Sequence, residues 1–218
     1  MPLSSTSVAP VVGAAVKNTQ FKAGAQNLPR KILCIGTYDP LKTSVVDNVP
    51  VLVTSAEDAG AKFGFGEPLH RLVLKAFKGS NGVECWAIPQ PETAGTAATG
   101  SITATGPATE AGTIYLYIAG EPVLVTVANA DDATAIGDAI AAAINADTNL
   151  PITASNAAGV VTTTAKDAST YGNDVDMSLN WGFQEELPAG VGIVIVQQSY
   201  DSAIGSSPTT GPEKSRSF

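Results

Sequence analysis

Histidine, cysteine, aromatic and basic residues are all scarce in this 218-residue chain, and each shortage excludes a class of function. The single histidine, His70, excludes any site that needs two. Only 12 Lys and Arg oppose 20 Asp and Glu, which argues against nucleic-acid binding because phosphate neutralisation needs clustered cations. Charged residues make up 15% and aromatics 6%, whereas Gly (21) and Pro (14) are plentiful. This composition indicates a compact, turn-rich chain with much β structure.

Long hydrophobic runs are also missing. The apolar stretch at 8–16 has no Lys or Arg before it and is broken by Pro10, which disfavours a secretion signal. Cys34 and Cys85 fall in predicted strands, and two buried thiols are favoured over a disulfide, although the two residues could be neighbours. No residues have metal-ligand spacing, and we expect neither a metal nor a cofactor.

Charge divides the chain more clearly than hydrophobicity does. The net charge is +3 over residues 1–90, −9 over 91–182 and −2 over 183–218. This shift indicates two modules, and a mixed α/β (α+β) fold is expected. The predicted segments are an extended N-terminal arm (1–30), an α/β domain (31–95), an acidic β-rich domain (96–182), and a return strand followed by a disordered tail (183–218).

The N-terminal arm shows neither a helical nor a strand period, and it cannot bury enough apolar surface alone to offset its ordering entropy. One interpretation is a frayed terminus. The other is a strand that becomes ordered on the sheet edge of a partner. Its apolar contacts would then be Val8, Val11, Val12, Val16 and Phe21.

Residues 31–89 have the pattern strand, helix, helix, strand. The continuous apolar run at 31–36 predicts a strand buried on both faces. Ser55 and Asp58 predict the start of a short helix that ends near 63–64, and Pro68 predicts the start of a second. The order predicts a crossover that joins parallel strands at 31–36 and 83–88. The apolar face of the second helix is predicted to comprise Leu69, Leu72, Val73, Ala76 and Phe77.

The acidic module reads as one Ala-rich helix on a small antiparallel sheet. Strands are predicted at 101–105, 112–118, 123–127, 152–154, 160–164 and 175–179, with a turn at 120–122. Asp131 and Asp132 open the helix, and its buried face is predicted to be Ile136, Ile140 and Ile144.

No catalytic template fits. His70 lies within an amphipathic helix and is expected to be a partly buried helix residue. The segment 64–66 is expected to be a corner between helices, because a dinucleotide loop needs a third glycine. Asp131–Asp132 and the pair Asp174 and Asp176 are interpreted as capping and turn residues rather than calcium ligands. Glu185–Glu186 is interpreted as a solvated pair. We expect no enzymatic activity.

Eight stretches resemble, in order and spacing, the tail sheath proteins of Mu-like contractile-tail phages and prophages. They are 28–36, 54–59, 63–69, 81–89, 106–120, 139–146, 172–176 and 187–190. The resemblance implies a virion structural protein whose subunits stack as hexameric rings around the tail tube, with terminal arms that add strands to neighbouring subunits. It also implies contraction for genome delivery, assembly in the host cytoplasm, and an outward-facing acidic insertion. The expected partners are other sheath subunits and the tube protein, with neither nucleic acid nor membrane among them.

The resemblance ends near residue 195, whereas family members continue for about as many residues again. We therefore expect a sheath protein truncated to its N-terminal part, which could offer an arm but not accept one. Long tubes in electron micrographs of the pure chain would contradict this. The alternatives are a stand-alone β-rich binding module for a glycan or host component, displaying Tyr115 and Tyr117, and an enzyme that uses Asp174 and Asp176.

Overall fold

The computed structural model describes residues 30–39, 41–42, 44–80, 82–92 and 95–199. Within these ranges it contains three α-helices, a short 3₁₀ helix and ten strands in three sheets, which confirms the mixed α/β class. The elements are β1 (Lys31–Tyr38), β2 (Val51–Val53), α1 (Ala56–Phe63), α2 (Pro68–Gly79), β3 (Glu84–Pro91), β4 (Thr99–Thr105), β5 (Gly112–Ile118), β6 (Glu121–Val127), α3 (Ala133–Ala146), β7 (Ile152–Ala157), β8 (Val160–Ala165), the 3₁₀ helix (Thr170–Asp174), β9 (Met177–Leu179) and β10 (Gly192–Ser199).

The first sheet has the strand order β1-β3-β2. β1 and β3 are parallel, as the crossover predicts, with Leu33 beside Trp86 and Ile35 beside Ile88. β2, which the sequence indicates only as an extended segment, joins the sheet antiparallel to β3. We call this sheet together with α1 and α2 the α/β module.

Helices α1 and α2 begin where the sequence predicts. The hydroxyl of Ser55 accepts a hydrogen bond from the Asp58 amide at 3.0 Å and caps α1. α1 ends at Gly64, whose φ of +99° is a conformation that glycine adopts without strain. Pro68 occupies the first turn of α2, where its missing N–H removes no helical bond. Local signals therefore fix both helices.

The helices cover only one face of this sheet. Cys34, Val53, Cys85 and Ala87 are buried beneath them. The prediction that strand 31–36 is buried on both faces is wrong, because Leu33 and Ile35 on the opposite face are 55% and 47% exposed. A continuous apolar run cannot distinguish a covered face from one that awaits a partner. On α2, Leu69 and Val73 are buried but Leu72 is exposed, so the apolar face is narrower than predicted.

The acidic module contains two sheets rather than the one expected. Their strand orders are β10-β4-β8-β7 and β6-β5-β9, and α3 contacts strands of both. The Asp132 side chain caps α3, because it accepts a hydrogen bond from the Ala135 amide at 2.8 Å. Ile136, Ile140 and Ile144 are buried as predicted. The tight turn between β5 and β6 lies at 119–120, one to two residues before the predicted 120–122, and β7 and β8 are joined by a turn at 158–159.

β10, at the end of the described chain, pairs antiparallel with β4 and so extends a sheet of the acidic module. Its partly buried Ile193 and Ile195 pack against the core of that module. The boundaries 31–95, 96–182 and 183–218 stay predictions, but the hydrogen bonding of β10 ties the return strand to the acidic module.

Several polar contacts join the two modules, and three of them involve side chains of β1, α2 and Lys166. Thr37 Oγ1 donates to Asp167 Oδ2 at 2.5 Å, and Lys166 Nζ donates to the carbonyl of Phe65 at 3.0 Å. Lys75 forms an ion pair with Glu121. The modules therefore form a single contact unit over the described residues from Lys31 onward.

Candidate assembly surface

The uncovered face of the first sheet carries a group of exposed apolar side chains. Leu33, Ile35 and Leu52 are exposed on it, and Trp86 and Ile88 are partly exposed beside them. The strand register places Trp86 of the central strand β3 between Leu33 of β1 and Leu52 of β2. We call these five residues the open face. Grouped apolar side chains of this kind are typical of a surface that another polypeptide covers.

Side chains joined by polar contacts border the open face at the start of β1. Glu84 Oε1 accepts from Lys31 Nζ at 3.1 Å and from Trp86 Nε1 at 2.7 Å. Lys31 Nζ also lies 5.5 Å from the centre of the Trp86 ring. Both hydrogen bonds lower the pKa of Glu84, the one from the Trp86 indole more than the one from Lys31. These contacts hold the Trp86 ring in a fixed orientation at the rim.

β1 also offers backbone groups. Among the described residues, β1 is hydrogen-bonded only to β3, so the N–H and C=O groups along its other edge have no strand partner. An unpaired edge can accept an added strand. The open face and the free edge thus meet on one strand.

A cavity of about 470 Å³ lies between β1, α2 and the acidic module. Its wall is mainly apolar, with Arg71 and Lys75 on one side and Asp167 and Asp174 on the other. The remaining lining residues are Ile35, Gly36, Gly66, Pro68, Leu72, Ala119, Pro151, Ala165, Tyr171, Gly172 and Val175. Because Ile35 belongs both to the cavity and to the open face, the two features form one continuous surface.

A second exposed patch, the aromatic loop 181–184, lies on the acidic module. Trp181 is 73% and Phe183 is 93% exposed. Trp181 packs edge-on against Tyr117, with ring centres 6.3 Å apart. Glu185 anchors the loop by accepting from the Tyr117 hydroxyl at 2.6 Å and from the Gly182 amide at 2.7 Å. The interpretation of Glu185 as part of a solvated pair is therefore wrong.

The five arm residues predicted from the sequence, Val8, Val11, Val12, Val16 and Phe21, lie outside the described residues. Their role stays a prediction.

His70 is more deeply buried than expected, and its Nδ1 accepts from the Gly66 amide at 3.0 Å. Burial, followed by the charge of Lys166, lowers the pKa of His70. The segment 64–66 is the predicted corner between α1 and α2, with positive φ at both glycines. His70 therefore holds this corner together as a neutral acceptor.

The remaining carboxylates behave mostly as predicted. Asp131 and Asp132 accept backbone amides at the start of α3. Asp174 ends the 3₁₀ helix, and it and Asp176 are exposed. In the part of the chain that the structure describes, no three His, Cys, Asp or Glu side chains are grouped as metal ligands. No helix there has the length and apolarity needed to cross a membrane.

No motif in the sequence indicates the cluster of carboxylates that lies where the two modules meet. Asp39, Glu67, Glu92 and Asp167 come from four separate segments, and each is unremarkable in its own stretch of sequence. Only the packing of the modules brings them together.

The comparisons with known proteins agree with the resemblance stated above. No family model matches the chain. The chain is 33% identical over 177 residues to the curated Mu-like prophage FluMu tail sheath protein of Haemophilus influenzae (strain ATCC 51907 / DSM 11121 / KW20 / Rd). The match covers 80% of this chain, and the chain spans 36% of the length of that relative. The predicted similarity to Mu-like tail sheath proteins is confirmed.

Proposed function

We propose that this chain is a structural, non-enzymatic component of a contractile phage tail and acts as part of a sheath subunit. The observation that carries the proposal is the 33% identity to a prophage tail sheath protein over 80% of the chain. In this role the chain takes part in stacked rings around the tail tube, and the rings contract to deliver the genome. Its partners are other sheath subunits and the tube, and its place is the virion after assembly in the host cytoplasm.

The open face supports an assembly role on physical grounds. Leu33, Ile35 and Leu52 gain little from folding alone because they remain exposed. Covering them with a second polypeptide removes their apolar area from water, worth about 25 cal/mol per Å². The open face is thus the surface through which this chain is incorporated.

The free edge of β1 supports strand addition as the mode of contact. An incoming strand pairs with the unpaired backbone groups of β1, and its side chains reach the open face on one side. In this proposal the incoming strand is the arm of a neighbouring subunit, with Val8, Val11, Val12, Val16 and Phe21 as its apolar contacts. The free edge of β1 thus replaces the expectation that the chain offers an arm but cannot accept one. Main-chain hydrogen bonds provide the affinity for the incoming strand, and contacts of its side chains with the open face set its register on β1.

Immunogold electron microscopy tests the assignment to the tail. An antibody raised against the 218-residue chain is applied to tail particles from the strain that carries the gene. Gold along the sheath supports the proposal. Particles whose sheaths stay unlabelled, while the chain is present elsewhere in the lysate, contradict it.

The open face has its own test. Leu33→Glu combined with Ile35→Glu places two charges on this face, and we expect it to abolish incorporation into labelled sheaths. The matched control is Leu124→Glu, which places a charge at an exposed leucine of β6 on the acidic module. Equal incorporation of both variants contradicts a role for the open face.

A stand-alone binding module is the second candidate function, and the aromatic loop 181–184 is the observation that favours it. An exposed, anchored Trp181 can stack on the apolar face of a sugar ring, as aromatic rings do with other flat ligands. A glycan array probed with the chain and with Trp181→Ala tests this candidate. Binding that the substitution removes supports it, and absence of binding to any glycan counts against it.

A further inference from the structure

Four carboxylates converge where the α/β module meets the acidic module. Asp39 follows β1, Glu67 precedes α2, Glu92 follows β3 and Asp167 follows β8. A Cβ placed on Gly64 would lie 2.8 Å from side-chain atoms of both Asp39 and Glu67, which shows how closely these two approach one another. The negative charges of Asp167, Glu92 and Asp39 all act on Glu67.

Two members of the cluster are fixed as hydrogen-bond acceptors across the junction. Asp167 Oδ2 accepts from Thr37 Oγ1 at 2.5 Å, and its Oδ1 accepts from the Ser169 amide at 2.7 Å and from the Ser169 hydroxyl. Glu92 Oε1 accepts from the Ala168 amide. These donors give both carboxylates hydrogen-bond partners from the opposite side of the junction.

Glu67, by contrast, has a carboxylate oxygen without a hydrogen-bond donor among the described residues. It is only 6% exposed, and its Oε2 is buried without a hydrogen-bond partner in the described part of the chain. The nearby cation, Lys166, directs its ammonium to the carbonyls of Phe65 at 3.0 Å and Thr148 at 2.7 Å instead. A buried, unpaired carboxylate surrounded by like charges is unfavourable, and it takes up a proton instead.

The expected titration follows from these surroundings. Burial, then the charges of Asp167, Glu92 and Asp39, raise the pKa of Glu67 to about 8, and Lys166 opposes them only in part. Burial also raises the pKa of Glu92.

We propose that Glu67 carries a proton while the two modules are docked, and that loss of this proton loosens the junction. The cluster thereby makes the contact between the α/β module and the acidic module sensitive to pH. This inference does not depend on the proposed sheath role.

The direction of the effect is fixed by linkage. When the junction opens, Glu67 is hydrated and its pKa returns towards 4.5, whereas in the docked state it is about 8. The docked state therefore holds the proton more tightly than the open state does. Docking becomes less favourable as pH rises from about 4.5 to about 8, and above about pH 8 its free energy no longer changes with pH. His70, whose pKa burial lowers, acts in the opposite direction at lower pH, so the effect of Glu67 has to be isolated by substitution.

Carbon-13 NMR of the side-chain carboxyls in the full chain gives the first test. Glu67→Gln identifies the Glu67 resonance by its disappearance. We expect that resonance to titrate with a midpoint near pH 8, shifted upward from the ordinary value near 4.5. A midpoint near 4.5 overturns the proposal.

Hydrogen exchange at the junction gives the second test, after correction for the intrinsic pH dependence of exchange. In the wild type, the amides of segments 63–71 and 164–169 are expected to lose protection between pH 5 and pH 8. Glu67→Gln, which cannot ionise, should retain its protection at pH 8, whereas the matched control Glu110→Gln, at an exposed loop position, should behave as wild type. Identical profiles for all three proteins overturn the proposal.

If Glu67→Gln fails to fold, the Glu67 carboxyl resonance is assigned by through-bond correlation with its own backbone, and Glu92→Gln keeps the test decisive. The glutamine oxygen can still accept from the Ala168 amide, but the negative charge that acts on Glu67 is removed. We expect the Glu67 midpoint to move to lower pH. An unchanged midpoint shows that the carboxylates do not act on one another and contradicts the cluster.

Discussion

The α/β module and the acidic module differ in how completely each buries its own apolar surface. Among the described residues, the core of the acidic module has eighteen buried members and that of the α/β module has nine. In the acidic module, α3 contacts strands of both sheets, whereas in the part of the chain that the structure describes the sheet of the α/β module has helices on one face and none on the other. The acidic module thus has the larger buried core, whereas one face of the sheet in the α/β module stays exposed.

The electrostatics of the two modules differ as well. Residues 91–182 contain Lys166 as their one basic residue against ten acidic ones. Lys166 lies at the junction, where burial lowers its pKa. The remaining surface of the acidic module carries negative charge, which favours solubility over further association.

Limited proteolysis should show the largest difference between the modules. The prediction from the sequence is that 101–182 is the more stable unit. Since β10 pairs with β4, we expect the resistant fragment to extend from about 99 to about 199. Mass spectrometry of the digest identifies the fragment. A surviving fragment over 31–90 contradicts the comparison.

A substitution that creates a cavity in the core of the acidic module should have the next largest effect, a loss of free energy of unfolding. Ile140 is buried on α3, and Ile140→Ala is expected to lower the free energy of unfolding by about 2–5 kcal/mol, through lost burial and the space left behind. Urea unfolding followed by circular dichroism measures it. The control Leu124→Ala, at an exposed site on β6, should change it by less than about 0.5 kcal/mol. Equal effects at both sites refute the assigned core.

Removal of a helix cap should have an intermediate effect in both modules. Asp132→Ala removes the bond to the Ala135 amide, and Ser55→Ala removes the bond to the Asp58 amide. Each is expected to lower the free energy of unfolding by about 1 kcal/mol. If the modules unfold separately, two transitions in differential scanning calorimetry should respond one to each variant. A single transition that both variants shift equally indicates that the modules unfold together.

A substitution at the open face should have the smallest effect on the free energy of unfolding. Leu33→Ala is expected to change the free energy of unfolding by less than about 0.5 kcal/mol, because the side chain is 55% exposed. Leu69→Ala, on α2 beneath the same sheet, is expected to cost about 2–5 kcal/mol since Leu69 is fully buried. Chemical unfolding of both variants compares the two faces. A comparable loss at Leu33 would mean that the open face is covered within the chain itself.

Some features of this fold were predictable from the sequence because their causes are local. Ser55, Pro68 and Asp132 act within one helical turn, and the spacing of Ile136, Ile140 and Ile144 defines a face without reference to any other segment. Other features were missed because their causes are distant. The exposure of Leu33 and Ile35 depends on what lies above the sheet, and the role of Glu185 depends on Tyr117, far away in sequence.

The sequence by itself determined the helices, most strands and the faces of α2 and α3 that meet a core, since hydrogen bonding within a helix and hydrophobic periodicity act over a few residues. Only the tertiary structure decided that β10 belongs to a sheet of the acidic module, that one face of the β1-β3-β2 sheet stays open, and that Glu67 meets Asp39, Glu92 and Asp167. Each of these depends on how segments far apart in the chain pack. That packing is set by the complementarity of whole surfaces, and no short stretch of sequence contains it.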